Sequence, residues 1–500
     1  MEFINGVPLF SSLFLFISFL VIIYLQLAKT KKKLHLPPSP PRLPIIGNIH
    51  QFGKLPHHTL RDLAAKHGSL LLLKLGRYPT LVVSTAEMAK EVFQKHDAVF
   101  SNRLKTKAMD ILLYGGTDIA FSPYGEYWRR VRKLCGVELF SPQRVESFQF
   151  VRDEEVELLV NKIRKASINR ESIDLTKMVF SASNNIISRS ILSRKFEEEH
   201  DGGGGGEVLE LTRLRRFMVL LTSLSIGDAF PGLKWIDYLT GFTQNVKSIF
   251  AELDEFLDQI IEDHRNLKTH EEKKDFLSIM LEIQKDGGIE MELTQENIKA
   301  ILLDLFTGGL DITSTIEWLM AELLNHPNTM RKVQKEVRNM AGNKAKIEAD
   351  DINKMDYLKC VIKETLRLHP TAPFLIPRQT SAAVELSGYH IPSDVAVFVN
   401  AWAIQRDPKW WDKPDDFIPE RFENNGVDFK GQDFQFIPFG CGRRRCPGLP
   451  FGVALLECLS ANLLYWYDWE VAAGENLDMN EGDGVTGNKK IHLRVLPVST

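Results

Sequence analysis

The stretch Phe439-Gly440-Cys441-Gly442-Arg443-Arg444-Arg445-Cys446-Pro447-Gly448 restricts this chain more than any other segment. It is a glycine-rich loop that ends in a cysteine and runs into an apolar helical pattern from Leu449 to Leu464. Glycines let a backbone approach a flat ligand closely. Arginines beside Cys446 favour thiolate over thiol. The N-terminus of the following helix adds partial positive charge and free N–H groups near the sulfur. A cysteine so placed is a nucleophile or a metal ligand. Zinc wants three or four Cys or His ligands, and Cys441 and Cys446 have no second pair at zinc spacing.

A chain of 500 residues can bury a large core, as one big domain or as a few smaller ones. Its 44% apolar and 25% charged content is that of a globular protein and excludes extensive disorder. The formal net charge of −3 gives no general attraction to nucleic acid or anionic lipid. Five cysteines are too few, and odd in number, for a disulfide scaffold, which points to a reducing compartment.

Val7 to Ala28 carries no charge and is long enough to span a bilayer as a helix. Lys29, Lys31, Lys32 and Lys33 follow at once, whereas Glu2 is the only charged side chain before it. The positive-inside rule then places the rest of the chain in the cytosol. A cleaved signal would carry its basic residues in front, so residues 1–34 read as an uncleaved anchor. Pro37, Pro38, Pro40, Pro41 and Pro44 make residues 35–47 a semi-rigid hinge. Residues 48–500 form the catalytic body.

In the body, Leu70–Leu75 and Leu81–Val83 read as a small hairpin. Helical spacing marks Val151–Lys165, Phe242–Asn266, Gln295–Asn325, Thr329–Met340 and Tyr357–Leu368, and short strands return between Ala382 and Val399. The pattern predicts a mainly α fold with small β-sheets. Gly202 to Gly206 reads as a flexible surface insertion.

Three further clusters carry information. Glu364 and Arg367 sit at i,i+3, and Arg421 follows in Pro419-Glu420-Arg421-Phe422. Trp128 and Arg132 sit at i,i+4. The longest helical run carries Thr307-Gly308-Gly309-Leu310-Asp311-Ile312-Thr313. A glycine inside a helix costs about 1 kcal/mol relative to alanine, so something must use the gap, and a flat cofactor fits.

Phe439, Gly442, Arg444, Cys446 and Gly448 match the pattern F-x-x-G-x-R-x-C-x-G. On these residues the chain resembles the cytochromes P450, and over its whole length the plant microsomal members of the specialised-metabolism clan. The resemblance implies the cytochrome P450 fold and haem b, with iron bound by the Cys446 thiolate and Phe439 packed beside the sulfur. It implies that Arg444, Arg378, Trp128 and Arg132 hold the haem propionates, and that Glu364, Arg367 and Arg421 form a structural triad. Cys441 reads as a small packing residue. Gly308, Gly309, Asp311 and Thr313 fall in the family's oxygen-binding segment. Ile312 departs from it, standing where the family has an alcohol that orders a proton-delivering water. Thr313 is adjacent but about 100° around the helix.

By the same resemblance the partners are O2, an apolar small molecule, the endoplasmic-reticulum membrane (single-pass) and NADPH-cytochrome P450 reductase, with no nucleic acid. Arg129, Arg130 and Lys133 form a basic patch for the reductase. The implied function is monooxygenation of a terpenoid, alkaloid or phenylpropanoid. The alternative is an atypical coupling, desaturation or rearrangement prompted by Ile312. A haem sensor of no catalytic activity fits less well with Asp311 and the paired glycines. Substrate contacts are expected from 104–120, 218–228, 304–308, 371–375 and 484–487, with Leu305, Phe374, Leu375 and Val485 among the apolar ones.

Overall fold

Thr294 starts the longest helix. Its hydroxyl accepts from the Asn297 N–H at 3.2 Å while its own N–H donates to Asn297 Oδ1 at 3.1 Å, a reciprocal cap. The helix runs from Gln295 to Asn325 and ends before Pro327, whose ring disfavours helical geometry at His326. In this computed structural model, which describes residues 34–195, 209–266, 274–287, 292–472 and 474–499, that helix is the central rod. The apolar run Val7–Ala28 and the Gly202–Gly206 insertion lie outside the described residues.

Helices Leu175–Leu192, Asp356–Leu368 and Leu449–Trp466 pack around the rod. Apolar side chains at helical spacing bury Ile298, Ile301, Leu302, Ile316, Leu319 and Leu323 completely or nearly so. Burying each such side chain contributes about 1.5–3 kcal/mol. Leu449–Trp466 is apolar enough to cross a membrane by composition. Its burial against the rod and against Pro327–Ala341 accounts for that apolarity. Phe242–Asn266 has the bounds expected from sequence, and the helix expected at Val151–Lys165 extends to Gln149–Asn169.

The strands are β1 (Leu70–Leu75), β2 (Tyr78–Val83), β3 (Asn102–Arg103), β4 (Ile173–Asp174), β5 (Arg378–Gln379), β6 (Val384–Leu386), β7 (Tyr389–Ile391), β8 (Ala396–Val399), β9 (Tyr467–Val471) and β10 (Arg494–Ser499). The main sheet has the order β1-β2-β8-β5-β3; β4-β10-β9 and β6-β7 form two smaller ones. β2 starts earlier than the apolar pattern suggested, because Pro79 pairs with Lys74 at the β1 edge, clear of the β2–β8 ladder that begins at Thr80.

The hinge is tied to the body rather than free. The Leu72 N–H donates to Pro38 O at 2.9 Å and the His390 N–H to His35 O at 2.7 Å. Glu364, Arg367 and Arg421 come together as expected. Arg367 Nε donates to Glu364 Oε2 at 2.7 Å and Arg421 Nε to Glu364 Oε1 at 2.9 Å. Arg367 also holds the carbonyls of Gln405, Pro414 and Asp416. Removing one partner from so buried a pair costs about 3–5 kcal/mol, so the triad fixes the path of the chain toward the cysteine loop.

Candidate active site

Gln405 carries that path onward. Its amide donates to Leu366 O and Arg367 O, and its Oε1 accepts from the Ile437 N–H, each at 3.0 Å. Two residues later the loop begins. The Cys446 N–H donates to Phe439 O at 2.9 Å and closes it. Phe439 stands edge-on to Phe429, with ring centroids 5.3 Å apart. Gly442 has φ +67°, and a Cβ there would lie 2.7 Å from Asp97 Oδ1, so only glycine lets the loop rest on that carboxylate. Gly448 lies against Phe140, which a Cβ would meet at 3.6 Å. Cys441 is fully buried among apolar side chains.

The arginines beside Cys446 do less for the sulfur than the sequence suggested. Arg443 turns to Asp97. Arg444 donates to Ser101 O at 2.9 Å and Ser122 O at 2.5 Å and lies 4.2 Å over the Trp128 ring. Burial pushes the half-buried Cys446 thiol up, and the Gly448 N–H, Arg132 and Arg445 offset this only in part. Such a thiol ionises when it ligates a metal cation.

Arg378 is buried, donating to Cys441 O at 3.0 Å and to Asp97 Oδ1 at 3.4 Å. Arg132 donates to Arg445 O at 2.6 Å. Trp128 Nε1 donates to Ile119 O at 3.0 Å. A fourth arginine, Arg103, escaped the sequence reading. It is 4% exposed and donates to Ala120 O and Ile376 O, both at 2.7 Å. Its only sequence signal is a cation between polar and apolar residues in a stretch too short to show a period. Burial and then Arg378 pull Arg444 down to about 9. Burial, then Arg444 and Arg378, hold Arg103 well below the usual guanidinium range. Among the described residues Arg103, Arg132 and Arg444 have no carboxylate within ion-pair distance. Three arginines without a carboxylate, clustered with Arg378, therefore call for an anion, and the thiol calls for a metal cation. A haem, with iron and two carboxylates, satisfies both.

The oxygen-segment residues separate. Burial alone pushes Asp311 up to about 6; among the described residues its carboxylate has no hydrogen-bond partner. It is close enough to act electrostatically on Cys446. Ile312 is buried and apolar. The Thr313 hydroxyl pairs with Ser183 Oγ at 2.9 Å on helix Leu175–Leu192, so it is engaged on another face of the rod. The paired glycines do not share one task. A Cβ on Gly309 would lie 2.0 Å from Ile187 Cδ1, whereas Gly308 has nothing within 4 Å. Gly309 serves helix packing, so the gap expected for a cofactor remains only at Gly308.

The expected substrate segments are linked around this end of the rod. Asp304 accepts from the Ile119 and Ala120 N–H groups, the Lys107 N–H donates to Asp228, and the Gly487 N–H donates to Thr371 O. Trp318 Nε1 donates to Gly487 O at 2.7 Å. Phe374 belongs instead to the core under β1 and β2.

The family model described as Cytochrome P450 matches residues 37–495. This chain is a cytochrome P450. As a member of that family it is a haem-thiolate monooxygenase. A phenylacetaldehyde oxime monooxygenase, CYP71AN24 from Prunus mume, is 52% identical over 94% of this chain and 90% of its own length. Cytochrome P450 71A1 from Persea americana is 47% identical over 90% and 91%. Desmethylyatein synthase from Sinopodophyllum hexandrum is 43% identical over 98% and 99%. A solved zebrafish cytochrome P450 with abiraterone covers 89% of this chain and all of its own at 25% identity, with a TM-score of 0.72. The family carries haem with an axial cysteine thiolate, and these plant relatives place the chain among the monooxygenases of specialised metabolism.

Proposed function

We propose that this P450 is a single-pass endoplasmic-reticulum monooxygenase of a small aromatic metabolite that brings its own hydroxyl, an arylacetaldehyde oxime being the first candidate. Cys446 holds the iron, and Arg103, Arg132, Arg378 and Arg444, with Trp128 among them, hold the carboxylates. When bound, the haem activates O2 with electrons from NADPH-cytochrome P450 reductase and delivers one oxygen atom to the substrate. Asp311 is the nearby acid that can hold or pass a proton. Ile312 offers no donor and repels water, and the Thr313 hydroxyl is taken by Ser183.

Ile312 is the observation that carries the substrate reading. With no alcohol beside Asp311, a hydroxyl on the substrate is a direct replacement. An oxime N–OH supplies one, and the 52%-identical relative is named for an oxime. Ile312 also supports a second reading, an oxidative coupling, desaturation or rearrangement without net oxygen insertion.

The exposed apolar residues support membrane contact around the anchor. Leu43 and Ile45 lie on the turn next to Gly76, whose N–H donates to Ile46 O at 3.3 Å. Trp235 and Leu239 follow the segment whose Ala229 O accepts from Arg77 at 2.8 Å. Residues 1–34 are the anchor and 48–500 the catalytic body, with 35–47 fastened to it. Arg129 and Lys133 are exposed on the helix that carries Trp128 and Arg132, which suits reductase docking; Arg130 is engaged with Glu126.

The test is microsomal expression with the reductase. Phenylacetaldehyde oxime, a terpene alcohol and an alkaloid are each supplied with NADPH and O2, and products are weighed by mass spectrometry. Selective NADPH-dependent consumption of the oxime is expected, and the product mass separates oxygen insertion from the second reading. Turnover of the terpene or alkaloid with the oxime untouched contradicts the substrate assignment.

A further inference from the structure

Asp304 stands seven residues before Asp311 on the rod, two helical turns away on the same face. Its Oδ2 accepts from the Ile119 N–H at 2.8 Å and the Ala120 N–H at 2.9 Å. The carbonyls of those same two residues face the other way. Ile119 O accepts from Trp128 Nε1 and from Arg444 Nη1, and Ala120 O accepts from Arg103 Nε. One carboxyl therefore holds Ile119 and Ala120 of the 118–122 strip, whose far side orients three of the side chains assigned to the haem carboxylates.

Asp118 completes the unit from the strip itself. It is fully buried, and its Oδ2 accepts from the Phe121 N–H at 2.6 Å. Its Oδ1 has no donor among the described residues, and because Asp304 accepts from the next two amides, the two carboxyl groups stand close enough to act on one another. Two adjacent carboxylates in a low-dielectric site do not both ionise readily. A single proton between them supplies the missing donor and removes the repulsion.

We propose that Asp304 is a positioning residue for haem binding: it fastens Arg103, Trp128 and Arg444 to the long helix through the 118–122 strip, sharing one proton with Asp118. Among the described residues, the other ionisable groups facing the pair are Arg103, Arg444, Tyr127 and Cys135. Tyr127 donates to Thr117 O at 2.5 Å, and burial pushes the Cys135 thiol up to about 12. Burial first, and then Asp118, holds Asp304 well above the usual carboxylate range, the direction a shared proton requires. A proton retained this way is lost as pH rises through the folded-state value, so the strip loosens on the alkaline side.

Haem transfer from the holoprotein to excess apomyoglobin tests this without reference to turnover or to any substrate. Asp304→Asn keeps an acceptor for the two N–H groups and gains a donor for Asp118. It should release haem near pH 7 at the wild-type rate and lack the alkaline acceleration of wild type. Asp118→Asn should also flatten that alkaline limb, because only one carboxyl remains. Asp304→Leu orphans two buried amides and should release haem at least about tenfold faster. If Asp304→Leu does not fold, the pH profiles of the two Asn variants decide. A wild-type rate with no alkaline limb, a limb retained in both Asn variants, or Asp304→Asn leaking at neutral pH overturns the proposal.

Discussion

Arg103 and Arg378 are cross-strand partners of the antiparallel β3–β5 pair, and they are 4% and 3% exposed. Like charges directly opposite one another destabilise a sheet, and buried charge without a partner is costlier still. Burial first, then Arg444 and Arg378, weakens the hold of Arg103 on its proton, whereas Arg378, also lowered by burial, is partly compensated by Asp97. The strand register has thus built a cationic wall whose energy is recovered when an anion arrives.

Arg103→Met should keep the fold and release haem about tenfold to a hundredfold faster, the size expected for losing one hydrogen bond to a charged group. Haem transfer to apomyoglobin measures it. An unchanged rate removes Arg103 from the set that holds the cofactor.

Ile312→Thr restores an alcohol beside Asp311. With a substrate that lacks a hydroxyl, product formed per NADPH should rise and released hydrogen peroxide should fall. With the oxime, both should change little, because the substrate already supplies the donor. No change with either substrate makes Ile312 a packing residue alone.

The long elements were readable because their signals are local. Thr294 and Pro327 bracket the rod within its own sequence, and the motif around Cys446 is contiguous. Arg103 was not readable, since a two-residue strand has no period and its meaning comes from Arg378, which lies far along the chain. The same holds for Gly309. A helical glycine is visible in sequence, but Ile187, which occupies its gap, is brought there only by tertiary packing. Asp304 and Asp118 fell within the expected substrate segments, but their pairing was hidden for that reason too: it exists only once the 118–122 strip folds onto the rod.

Gly309→Ala should destabilise by about 1–3 kcal/mol, the cost of forcing a methyl into a packed interface. Ile187→Val in addition should recover part of the loss. In the haem-free protein Gly308→Ala meets no neighbour and should gain up to about 1 kcal/mol from helix propensity. Thermal unfolding of the variants checks the contrast, and equal effects at the two positions contradict it.

Burial pushes Asp311 up to about 6, above its ordinary value of 3.8. A raised carboxyl favours the fold while it is protonated, so that contribution is present below about pH 4 and is lost as pH rises through about 6. Asp311→Asn removes the titration. Wild type should therefore lose stability relative to Asp311→Asn between these values. Parallel stability curves for the two proteins across that window show that Asp311 has an ordinary carboxyl.

The CO-difference spectrum of the reduced holoprotein, compared among wild type, Cys446→Ser and Cys441→Ser, goes straight to the site. Wild type and Cys441→Ser should show the strongly red-shifted band of a thiolate-ligated haem, and Cys446→Ser should lack it. A band that survives in Cys446→Ser, or disappears in Cys441→Ser, places the iron ligand elsewhere and contradicts the site described around Cys446.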